Sequence, residues 1–92
     1  MALETVGRET VTGLSAIKTL TVPAGTSHAW VQALTQNVRM TLEGTDPTSS
    51  LGIRLTAGDP PIEITGEEAR NAEFIEEAAS ATLEVVYKGN SI

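Results

Sequence analysis

A chain of 92 residues with six basic against twelve acidic side chains, a net charge of −6, 40% apolar content and no cysteine has room for one domain with one modest core. Without cysteine, disulfides, thiolate metal sites and a cysteine nucleophile are excluded together. Without clustered Lys and Arg, neither nucleic acid nor an anionic membrane is an expected partner.

No apolar run reaches membrane-spanning length, and the charged N-terminus lacks the apolar centre of a signal peptide, so an untargeted protein made in the cytoplasm is expected. The first stretch, MALETVGRETVTG, is rich in threonine and mixed in charge. It reads as an N-terminal arm over residues 1–13 that orders when laid along a neighbour. Residues 14–92 then form the folded domain. Ser15 to Val22 is a β-branched run that stops at the turn-forming Pro23-Ala24-Gly25. His28 to Leu34 is apolar on both faces, as in a strand that is central or covered.

Val38, Met40 and Leu42 alternate with Arg39, Thr41 and Glu43, the pattern of a strand with one buried and one wet face. The loop after it uses Gly44 to leave the sheet, Asp46-Pro47 to set a turn, and Thr48, Ser49 and Ser50 to bond their own backbone. Gly44 and Gly58 are expected at positive φ. The alternation resumes at Ile53 and Leu55, at Ile62 and Ile64, and at Leu83, Val85 and Tyr87. Gly66 to Ser80 carries two readings. Ala69, Ala72, Ile75 and Ala79 lie on one helical stripe, whereas AEFIE reads as a short strand with Phe74 inward. Strand spacing favours the second, so the fold is all-β: a single small β-sandwich of jelly-roll or Greek-key type with seven or eight short strands, and a short helix around 67–79 as the alternative.

No residue is assigned to catalysis, a cofactor or a metal. His28 is the only imidazole and has no triad context. Asp46 and the hydroxyls around it lack the further carboxylates a hard cation needs. Glu67-Glu68 and Glu76-Glu77 read as a solvated acidic surface. Trp30, Phe74 and Tyr87 sit in runs where burial is the default, which weakens a sugar-binding reading. A non-enzymatic contact protein is the expectation.

One resemblance sharpens this. The order PAG, a strand, NVRMTLEGTDPTSSLGIRLTAGD, a Phe74-Ile75 pair and ATLEVVYKG resembles a group of small virion proteins of tailed bacteriophages. Arg39, Thr41, Gly44, Thr45, Pro47 and Thr48 carry the first part of the match. Gly52, Leu55, Ala57, Gly58 and Asp59 carry the second, and Leu83, Val85 and Tyr87 close it. It spans about Val22 to Gly89. The resemblance implies a structural protein of the virion, and within that class a capsid decoration (cement) protein. Such a protein binds the outer surface of the major capsid protein shell as a homotrimer and stabilises it without a cofactor. A host-attachment module of a tail or fibre, with carbohydrate as its ligand, is the alternative. The candidate interface residues are Thr5, Val6, Arg8 and Val11 of the arm, together with Trp30. Glu67, Glu68, Glu76 and Glu77 are expected to face solvent.

Overall fold

Alternating apolar residues become strands wherever one side of the chain can be buried and the other wetted. The computed structural model, which describes residues 3–90, has eight strands and one helix. They are β1 (Leu3–Val11), β2 (Lys18–Thr19), β3 (Thr26–Ala33), β4 (Val38–Thr41), β5 (Ile53–Leu55), β6 (Ile62–Thr65), α1 (Gly66–Asn71), β7 (Glu73–Glu76) and β8 (Leu83–Asn90). Two antiparallel four-stranded sheets result, ordered β1-β8-β3-β6 and β2-β7-β4-β5.

The pairing has a simple logic. β4 with β5, β3 with β6, β2 with β7 and β1 with β8 are nested pairs around the loop from Leu42 to Gly52. The chain is one antiparallel ribbon, bent at that loop and wrapped so that successive pairs alternate between sheets. That is an eight-stranded jelly roll. Its core takes Ala29, Val31, Leu83, Val85 and Tyr87 from the first sheet and Val38, Met40, Leu55 and Phe74 from the second, with Leu14 closing one side. Both inner faces are dry, and burying this surface is the main term holding the sheets together.

The loop at the ribbon's bend is held by its own hydroxyls. Thr41 Oγ1 donates to the Thr45 carbonyl, Thr45 Oγ1 donates to Glu43 Oε2 at 2.8 Å, and the Ser50 amide donates to Thr48 Oγ1 at 3.3 Å. Pro47 is buried and anchors the loop to the body of the domain. Gly44 and Gly58 have φ of 90° and 86°, the left-handed region that glycine enters at least cost.

Three expectations are corrected. The described part of the proposed arm is a strand: β1 pairs with β8 from Leu3 to Val11, so the neighbour it lies along is its own chain. Met1 and Ala2 lie outside the described residues. The segment from Gly66 to Ser80 is both helix and strand. Thr65 caps α1 by accepting from the Glu68 amide at 3.1 Å, while Glu68 Oε1 accepts from the Thr65 amide at 2.8 Å, a reciprocal capping box. The helix ends at Asn71, and Ala72 is already extended, with φ −70° and ψ 141°. Last, Glu76 and Glu77 are half-buried rather than solvated, because each carboxylate is used inside the domain.

Candidate functional site

β3 is an inner strand of its sheet, between β8 and β6. Its apolar residues on both faces therefore have different fates. Ala29, Val31 and Ala33 enter the core, and Trp30 is left on the outer face with 40% of its surface exposed. Strand register then determines what surrounds it. Arg8, Val86, Trp30 and Glu63 form one row across the sheet. Thr5, Lys88, His28 and Thr65 form the next, and Thr10, Glu84 and Gln32 the one on the other side. Val6, the extra residue of a bulge between Thr5 and Gly7, is 40% exposed but turns to the side of Gly89 rather than of Trp30.

Nearly every polar side chain on this face is held by another. Trp30 Nε1 donates to Glu63 Oε2 at 2.8 Å, and the Lys88 ammonium lies over the indole, 4.9 Å from its centroid. Lys88 also donates to Thr5 Oγ1 at 2.9 Å. The Arg8 guanidinium pairs with Glu84, whose other oxygen accepts from Thr10 Oγ1 at 2.8 Å. These bonds from Arg8 and then Thr10 hold the Glu84 carboxyl below the usual glutamate range. His28 is half-buried, with Nδ1 at 3.1 Å from Ser27 Oγ.

The outer face thus has an apolar centre of Val86 and Trp30 inside a rim of paired polar groups. Its charges balance, Arg8 and Lys88 against Glu63 and Glu84, although the chain as a whole is at −6. A part-exposed aromatic anchor with immobilised neighbours is the arrangement that binds protein with little further loss of side-chain entropy. Of the five candidate interface residues, Thr5, Arg8 and Trp30 meet on this face, whereas Val6 lies on the side of Gly89, away from Trp30. Val11 does not meet them either: it pairs with Leu83 and packs against the core. Lys88, Val86 and Glu63 were missed, although the alternation of Val85 and Tyr87 with Val86 and Lys88 carries the signal.

The outer face of the second sheet is organised differently. Arg39 and Arg54 stand directly opposite each other on β4 and β5, and Glu77 Oε2 accepts from both Nε atoms, at 2.5 and 2.8 Å. Hydrogen bonds from Arg54 and Arg39 hold the Glu77 carboxyl below its usual range. Glu73 behaves oppositely. Its Oε1 is buried with no donor reaching it among the described residues. The Asp46 carboxyl beside it, then burial, then the charge of Glu43 push its carboxyl up. No group of three or more His, Asp or Glu side chains suited to a metal ion occurs among the described residues.

Compared with family models, curated proteins and solved structures, the chain matches none of them.

Proposed function

We propose that this is a non-enzymatic structural protein of a phage virion. In this reading it is a capsid decoration protein that docks the outer face of its β1-β8-β3-β6 sheet on the major capsid protein shell and stabilises it, several copies acting together as a trimer. The observation that carries the docking surface is the exposed Trp30, held by Glu63 and Lys88 at the centre of a face whose charges cancel. A net-acidic ligand meets least repulsion and least desolvation cost through such a face. The particle assignment rests on the sequence resemblance. The jelly-roll topology agrees with it, since that fold recurs among capsid proteins, although it also recurs among lectins. Protein is favoured over carbohydrate as the ligand because Lys88 occupies one side of the indole, where a sugar ring would stack.

Co-sedimentation with shells assembled from the major capsid protein tests this. The full chain is expected to pellet with shells and to saturate. Trp30→Ala is expected to weaken binding by about thirty-fold, the effect of losing an interface anchor. A wild-type chain that stays in the supernatant would contradict the decoration role. Binding unchanged by Trp30→Ala would contradict the choice of face.

A further inference from the structure

Sheet edges combine unpaired backbone groups with exposed side chains, and proteins usually protect them. In the β2-β7-β4-β5 sheet the two edges are β2 and β5, and their characters are complementary. Beside β5 runs an apolar groove of about 280 Å³ walled by Met40, Leu42, Leu51 and Ile53, with Glu43 in its lining. Leu51 and Ile53 are 49% and 50% exposed, more than any other large apolar side chain among the described residues. From Met40 to Ile53 the chain carries Glu43 and Asp46 and no lysine or arginine. Glu43 is therefore a carboxylate on an apolar groove with no cation supplied by its own segment.

The opposite edge supplies one. Arg8, Arg39 and Arg54 are in ion pairs, Arg70 donates to the Thr26 carbonyl, and Lys88 is bound to Thr5. Lys18, on β2, is the one cation without an ion pair or hydrogen bond to a described residue. Ile17 next to it is 37% exposed.

Strand direction makes the two edges compatible. Every neighbouring pair in the sheet is antiparallel, so β2 and β5, the first and last of four strands, run in opposite directions. A second copy placed at the β5 edge with its sheet in the same orientation presents β2 antiparallel to β5. The faces also agree. Lys18 is paired with Phe74 and Ile53 with Met40, so both belong to the core-side face of the sheet.

We propose that β2 of one copy adds to β5 of another, extending the second sheet. The stem of Lys18 lies along the groove beside Ile53 and its ammonium reaches Glu43. Lysine suits this position because its four carbons cover apolar surface while its charge stays at the wet rim. The contact joins two different patches, so it is head-to-tail and closes into a ring or continues as a filament. With β2 and β5 only two and three residues long, it is small and weak, and the exposed ion pair makes it sensitive to salt. This inference stands on the two edges and does not depend on the capsid reading.

Sedimentation of the full chain at low salt, from about 10 μM to about 1 mM, spans the range expected for so small a contact. The average mass is expected to rise with concentration and to fall back with added salt. Lys18→Glu and Glu43→Lys should each weaken association about ten-fold or more, and the double variant should recover it. Ile53→Glu should abolish it without touching the ion pair. Far-UV circular dichroism identifies any variant that fails to fold, and Trp30→Ala, on the other sheet, should associate like wild type. The proposal is overturned by a wild-type chain that stays monomeric at the highest concentration. It is equally overturned by folded single variants that associate normally, by a folded double variant that does not recover, or by loss of association in Trp30→Ala.

Discussion

Two glutamates on the outer face of the second sheet show how one residue type acquires opposite energetic roles. Like charges directly opposite on adjacent strands repel, and Glu77 turns the Arg39–Arg54 pair from a liability into a three-member bridge. Its carboxyl is held low, so its contribution is fully present above the unfolded value of about 4.3 and is lost as pH falls through the lower folded value. Glu73, held high beside Asp46 and Glu43, has the reverse sign. Its charged form is penalised above its folded value, and the penalty fades as pH falls towards the unfolded one. Melting temperature measured against pH should therefore separate two isosteric substitutions. Glu77→Gln is expected to lower it at neutral pH, and Glu73→Gln to raise it; the Glu73 difference should fade as pH falls towards ~4, and the Glu77 difference only below that. Equal shifts of one sign would contradict the assignment.

Two glycines make a similar contrast. At Gly44 a Cβ would meet nothing within 4 Å, so only its φ of 90° resists substitution. Gly89 has no positive φ, but a Cβ there would run into the Gly25 carbonyl. Urea unfolding should show Gly44→Ala costing about 1 kcal/mol. Gly89→Ala should cost about 1–3 kcal/mol, because backbone cannot yield as a side chain can.

Among the elements, β1 changes most between sequence and structure. ETVGRETV offers little apolar content and no uniform alternation, because the bulge at Val6 shifts the period partway along the strand. Once β8 is placed, though, β1 covers one edge of it over nearly its full length, and Val11 reaches the core. A chain lacking residues 1–11 should lose several kcal/mol of a stability that is ~5–15 kcal/mol for a domain, and so lose its cooperative thermal transition or melt far lower. A truncated chain with an unchanged melting temperature would restore the independent arm. The strands from Val38 onward were legible because each buries one face, so period two appears directly in the residue order. The helix was legible only as an alternative. Six residues are too few to establish a helical period, and what starts the helix is a cap at Thr65 rather than a stripe.

The candidate face was half legible. Three of its residues, Thr5, Arg8 and Trp30, could be singled out as unspent polar or apolar surface. Their meeting could not, since Arg8 comes beside Trp30 only through β8, which lies more than fifty residues further along the chain. The Glu77 bridge escaped for the same reason, because its partners are 38 and 23 residues away.

For the whole molecule, the ribbon topology sorts surface by function. The bend of the ribbon carries the loop from Leu42 to Gly52 and the apolar groove beside β5. The first sheet turns outward a pre-ordered, charge-balanced face centred on Trp30. Carboxylates with no cation opposite them, Glu43, Asp46 and Glu67 among them, lie elsewhere. A protein docked through the first sheet would present that acidic remainder to solvent, where it costs least. Because a repetitive lattice multiplies a modest affinity, the face need not bind tightly in a single copy.

The most direct test of the central claim is a cryo-electron-microscopy reconstruction of intact virions containing this chain. Density for it is expected on the outer surface of the shell, with β1, β8, β3 and β6 lying against the major capsid protein and Trp30 inside the contact. Density on a tail or fibre, or a shell-bound copy with Trp30 turned to solvent, would contradict it.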